Sequence, residues 1–131
     1  MPDWTWLEGD DVLAMHEQLL AQLGGLGGIR DLGALESALA RPQLLAAYGE
    51  PDAADLAAAY LFSIAQNYAF SDGNKRTAWA AARTFLILHG SELRFKQEEA
   101  FALVMAVASD AADEAAAVTW FRERLTPSPE N

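Results

Sequence analysis

The chain has no cysteine, which removes disulfides and thiolate metal sites from its repertoire and suits a reducing compartment. Cations are scarce: 9 Lys and Arg stand against 19 Asp and Glu, for a net charge of −10 at pH 7. A surface of that sign repels nucleic acid and anionic lipid, which argues against nonspecific binding to either. A basic partner is compatible with it, and plain solubility explains it equally well. No apolar stretch reaches the roughly 18 residues of a membrane-crossing helix. Asp3 and Glu8 disfavour a secretory signal, which has a basic start and an apolar body. The expectation is a cytoplasmic protein with no membrane contact and no DNA binding by itself. Strand-type alternation of β-branched residues is also missing, which argues against a β architecture.

What remains is helical. At 131 residues and 52% hydrophobic composition, one domain with a sizeable core is expected. Val12, His16, Leu19, Leu20 and Leu23 share a face at helical spacing and predict a first helix over 9–23. Gly24-Gly25-Leu26-Gly27-Gly28 follows as a mobile connection. Asp31 caps a second helix, expected to stop near Arg41-Pro42. A third runs from Pro51 or Asp52 to Asn67, with Leu56, Tyr60, Ile64 and Asn67 along one stripe. The fourth, from Asn74 to His89-Gly90, is apolar around most of its circumference and is expected to be the central buried helix. A fifth and a sixth, near 97–109 and 113–125, complete an all-α, six-helix bundle. Glu92-Leu93-Arg94-Phe95 is a candidate extended piece. The domain is expected to span 1–125, with 126–131 a flexible tail.

Chemistry concentrates in Tyr68-Ala69-Phe70-Ser71-Asp72-Gly73-Asn74-Lys75-Arg76-Thr77. A glycine turn opening a helix whose first turn carries two cations is a site for anions, most often phosphate. The helix dipole disfavours cations there, so a bound anion accounts better for Lys75 and Arg76 than a solvated surface does. Asp72 beside them repels bare phosphate but fits a nucleotide that arrives with a divalent metal. The segment therefore predicts a nucleotide site with Mg²⁺. Phe70 reads as a buried anchor, and His16 as a hydrogen-bonded core histidine. Trp79 and Trp120 are expected in the core, and Trp4 and Trp6 over the first helix or awaiting a partner.

Phe70, Asp72, Gly73, Asn74, Lys75 and Arg76 match, in order and spacing, the loop His-x-Phe-x-Asp-(Gly/Ala)-Asn-Lys-Arg of the Fic superfamily. Gly24 to Asp31, Glu36-Ser37-Ala38 and Arg41-Pro42-Gln43 resemble its death-on-curing (Doc) branch. The likeness covers about residues 12–105. It implies a six-helix Fic/Doc-like bundle with the motif loop between two central helices, a nucleotide over the motif helix and a target hydroxyl beside it. It also implies a toxin of a toxin–antitoxin system: a kinase-like phosphotransferase to a threonine of elongation factor Tu, inhibiting translation, and neutralised by a Phd-like antitoxin. AMP-transferring relatives usually carry Gly in place of Lys75 and a second arginine in place of Trp79. Both departures favour phosphoryl over adenylyl transfer, with an AMP-transferring enzyme the alternative.

In the roles the resemblance implies, Asp72 coordinates Mg²⁺, Asn74 orients the loop and meets a phosphate, and Gly73 lets backbone N–H groups approach. Lys75 and Arg76 hold the transferring and leaving phosphates. Tyr68 occupies the position of the family's histidine, which takes the proton from the attacking hydroxyl. Imidazole titrates near 6.5 and phenols near 10, so at neutral pH only about one free phenol in a thousand is ionised. General-base catalysis is worth roughly 10²–10⁴ in rate. An intact cleft with impaired chemistry is expected, either in an inherited inactive relative or through a histidine replaced to silence the protein. The single departure from an intact motif favours the second. A non-catalytic pseudoenzyme that binds nucleotide or antitoxin is the remaining alternative.

Overall fold

The computed structural model describes residues 3–127, and the expected tail from Ser128 onward lies outside the described residues. Six helices appear in chain order: α1 (Gly9–Leu23), α2 (Leu32–Tyr48), α3 (Ala53–Asn67), α4 (Asn74–Leu88), α5 (Gln97–Ala108) and α6 (Glu114–Arg124). Two short strands, β1 (Ser91–Leu93) and β2 (Leu125–Pro127), pair antiparallel. The fold is thus all-α with a minor ribbon, as expected. The ribbon holds Thr126 and Pro127 in register with Glu92 and Ser91, where fraying was predicted.

Helix starts follow local chemistry. Asp31, Asp52 and Asp113 each accept a backbone N–H of the first turn, capping α2, α3 and α6. The end of α2 departs from expectation. Pro42 lies inside the helix, which continues to Tyr48. Proline has no N–H to offer the carbonyl four residues back, so the Ala38 oxygen loses its helical partner. Ser63 of α3 stands in, its hydroxyl within hydrogen-bonding distance of Ala38 O at 2.9 Å and of Ala59 O in its own helix at 2.6 Å, so that its one proton is shared between them. The neighbouring helix thus offers the Ala38 carbonyl a partner, and the chain passes through the proline without a break.

The central helix is α3, not α4. Between Ala54 and Ala65 every residue except Asp55 and Phe62 is buried, and α3 packs on α2, α4, α5 and α6. Alanines 57, 58, 78, 81 and 82 are all fully buried, which lets α3 and α4 approach closely. The C-terminal end of α4 leaves Ile87 and Leu88 exposed. Trp4 and Trp6 are partly buried against the core and pack on Phe85 of α4. His89 joins them, Nε2 accepting from the Thr5 N–H and Nδ1–H donating to Phe85 O. Trp79 and Trp120 are half-buried in one aromatic cluster with Phe95 and Phe121.

Candidate functional site

The site is built where α3 stops. Tyr68 caps that helix in the left-handed region, φ 51° and ψ 45°, a conformation uncommon for a non-glycine residue. The chain reverses there, burying Ala69 and Phe70 and leaving Tyr68 half exposed. Asn74 locks the reversal. Its Oδ1 accepts the Phe70 N–H at 3.0 Å and its Nδ2 donates to Phe70 O at 2.9 Å. Gly73, at φ 81°, opens α4 with no side-chain cap. The first backbone N–H groups of α4 therefore face outward without an intrahelical partner.

A second wall comes from the glycine-rich segment between α1 and α2. Predicted as mobile, it is instead zipped onto the motif. Ile29 bridges Phe70, the Arg30 and Asp31 N–H groups donate to Ala69 O at 2.8 and 3.0 Å, and Ser71 N–H donates to Gly28 O at 3.3 Å. Leu26 N–H donates to Asp72 Oδ2 at 3.2 Å. The approach needs glycine at Gly25, where φ is +123° and a Cβ would fall 2.7 Å from Asp72 Oδ2. Glycine supplies close contact here, not freedom.

His16 fastens the loop from below. Its ring stacks on Phe70 with centroids 3.8 Å apart, and its Nε2–H donates to Asp72 O at 2.8 Å. It is buried and hydrogen-bonded, as its place on the apolar face of α1 suggested. The loop is thus fixed by α1, by the 24–31 segment and by α4 itself, a pre-organised rather than an adaptable turn.

Lys75 and Arg76 project from this turn into a cleft between α4 and α5. One cavity of about 410 Å³ is lined by Lys75 and Arg76 at its polar end and by Trp79, Phe101, Val104 and Met105 at its apolar end. An adjoining cavity of about 360 Å³ shares Lys75 and Met105 and reaches Tyr68, Asp72, Gly73 and Asn74. Among the described residues Lys75 and Arg76 form no ion pair, nor do Arg30, Arg83, Arg94 and Lys96; what sets Lys75 and Arg76 apart is that they are adjacent in the first turn of a helix and line one cleft. The N–H groups of Leu26 and Gly73, with Arg76 and His16 nearby, hold the Asp72 carboxyl below its ordinary value of 3.8. Asp72 is therefore a carboxylate at neutral pH, with lone pairs left on both oxygens.

The structure brings all of the candidate residues together: Tyr68, Asp72, Gly73, Asn74 and Lys75 line one cavity, and Arg76 joins Lys75 in the other. Sequence reasoning missed the Leu26 N–H and the α5 wall of Phe101 and Met105. The α5 face carried a signal, because Phe101 and Met105 fall one helical turn apart and remain exposed.

The model of the Fic/DOC family matches residues 6–86, from the strand of chain before α1 into α4. A protein of Mycolicibacterium smegmatis named Toxin Doc is 47% identical over 91 residues, covering 67% of this chain and 67% of that protein. Protein kinase doc of Escherichia phage P1 is 35% identical over 85 residues, covering 64% of this chain and 68% of that protein.

Proposed function

The chain belongs to the Fic/DOC family, and from that premise we propose that it is a Doc-type toxin built to move the γ-phosphate of ATP to a protein hydroxyl. The observation that carries the proposal is the pair of unpaired cations, Lys75 and Arg76, beside the uncapped N-terminus of α4 in a cleft with an apolar end. A polyphosphate neutralises the cations and takes the free N–H groups, and a nucleoside suits the apolar wall. The phage relative's name, protein kinase, supports phosphoryl transfer. Trp79, held in its aromatic cluster, offers no donor fork to a second phosphate. Adenylyl transfer is thereby disfavoured.

The residues fit magnesium as part of the nucleotide complex. No group of three His, Asp or Glu residues able to hold a metal exists among the described residues. Mg²⁺ commonly takes one or two carboxylates and completes its shell with phosphate oxygens and water. Asp72 would hold the ion, which when bound neutralises charge on the phosphates. Asn74 orients the loop, Gly73 exposes backbone donors, and Lys75 and Arg76 stabilise charge that develops during transfer. The α1 and 24–31 contacts keep these groups in place before substrate arrives. The target hydroxyl enters past Tyr68, the position at which the family's proton acceptor stands. A threonine of elongation factor Tu as target, inhibition of translation, neutralisation by a Phd-like antitoxin, a cytoplasmic location and a domain over 1–125 belong to the same proposal.

One observation favours a second reading. Tyr68 offers a phenol where the reaction calls for a base, so the chain as it stands binds nucleotide with impaired turnover on an aliphatic hydroxyl. Incubation of purified elongation factor Tu with this chain and with Tyr68→His, using ATP labelled in the γ- or the α-position, separates the readings. γ-Label on the factor with the histidine variant supports the kinase. α-Label selects an AMP transferase, and ATP binding without transfer by either form selects a pseudoenzyme.

A further inference from the structure

We propose that Tyr68 is itself a phosphoryl acceptor, so that this chain modifies its own cleft once and closes it. The inference rests on the nucleotide reading of the cleft and adds a substrate to it. Left-handed geometry at the end of α3 carries the Tyr68 side chain away from the core that buries Ala69 and Phe70 on either side of the turn. The side chain lines the cavity that Asp72, Gly73, Asn74 and Lys75 also line. A residue that carries a hydroxyl thus lines the chamber in which the transferring phosphate is to be held. It lies only four residues before Asp72 in the same chain, and effective concentrations of such tethered groups are high.

The chemistry favours a phenol here. An aliphatic acceptor needs a base to take its proton, and the motif has lost its base. A phenol surrenders its proton far more readily than an alkanol, so that loss penalises it less. Two serines line the same cavity. Ser109 donates its hydroxyl proton to Ala106 O at 3.3 Å, and Ser71 lies beyond the buried pair on the glycine-segment side. In the step, a bond forms between the Tyr68 phenolic oxygen and the γ-phosphorus. The bond from that phosphorus to the β–γ bridging oxygen breaks, and ADP departs with the electron pair. The phenolic proton passes to water at the open mouth of the cavity. Atoms and charge balance with ATP as the sole co-reactant.

The product carries about −1.5 to −2 charges next to Lys75, where the polyphosphate must lie. Phosphorylated Tyr68 occupies the cation and repels a second nucleotide, which makes the event single and terminal.

The test incubates the full chain with ATP and Mg²⁺, followed by intact-protein and peptide mass spectrometry. Binding of a non-hydrolysable ATP analogue is measured by calorimetry before and after the incubation. The expected result is one phosphoryl group per chain, on Tyr68, absent from Tyr68→Phe and from Lys75→Ala. Affinity for the analogue should fall at least about tenfold after labelling. Analogue binding by the fresh protein without phosphate on Tyr68 overturns the proposal while leaving the nucleotide reading intact. Phosphate on Ser71 or Ser109 alone, or a nucleotidyl group on Tyr68, overturns it equally. No analogue binding by the fresh protein overturns the nucleotide reading itself and this inference with it.

Discussion

At the scale of single residues, position 68 is the one proposed to govern turnover, and Asp72 ties the motif turn to the glycine-rich segment. Tyr68→His restores a base at the turn, and transfer to an external hydroxyl is predicted to rise by roughly 10²–10⁴ in rate, read as γ-label on the target protein. A rate unchanged by the substitution would contradict the role given to this position. Asp72 bears on stability as well. Its carboxyl is held below 3.8 chiefly by the Leu26 N–H, then by that of Gly73. A group depressed on folding contributes stability that is full above its unfolded value and lost as pH falls through its folded one. The gap in unfolding midpoint between wild type and Asp72→Asn is therefore expected to be constant at neutral pH and to close below about pH 3.8. A gap that widens on acidification would refute the sign. Gly25→Ala pushes a methyl group onto the same carboxylate, at a φ that alanine rarely adopts. It is predicted to weaken Mg-ATP binding while leaving far-ultraviolet circular dichroism unchanged. The Asp72, Asn74 and Lys75-Arg76 cluster was legible in the sequence because all its members are neighbours in the chain. The Leu26 N–H was not, because it reaches Asp72 from 46 residues away and backbone groups leave no residue-type signal.

At the scale of elements, α1, α3 and α4 could be read closely from apolar spacing and caps, since both signals are local. Two elements could not. Pro42 signals a stop, yet α2 continues because Ser63, on another helix, takes over the Ala38 carbonyl. The other is β2: Glu92-Leu93 of β1 could be read as an extended piece, but its partner could not, because neither strand has more than three residues and each exists through the other. The proline account makes a prediction. Ser63→Ala leaves a buried carbonyl unpartnered and should cost about 1–3 kcal/mol of unfolding free energy. In a Pro42→Ala background, which returns the missing N–H to α2, the same change should cost clearly less. Equal costs in the two backgrounds, measured by denaturant titration, would dissolve the link between α2 and α3.

At the scale of the whole molecule, a strongly acidic chain concentrates two unpaired cations at one helix start. That contrast, within a fold that fixes the motif turn from α1 and from the glycine-rich segment, is what the functional account rests on. α3 supplies the buried spine, α1 and the glycine-rich segment fix the turn, and α5 closes the cleft opposite Lys75. No helix among the described residues is long and apolar enough to cross a membrane. The most direct test is calorimetric titration of ATP with Mg²⁺ into the wild-type chain and into a Lys75→Ala, Arg76→Ala double variant. The account predicts saturable one-site binding by the wild type and a loss of at least about 100-fold in the double variant, as expected for two charge-assisted contacts. No heat with the wild type, or equal affinity in the two proteins, would contradict it.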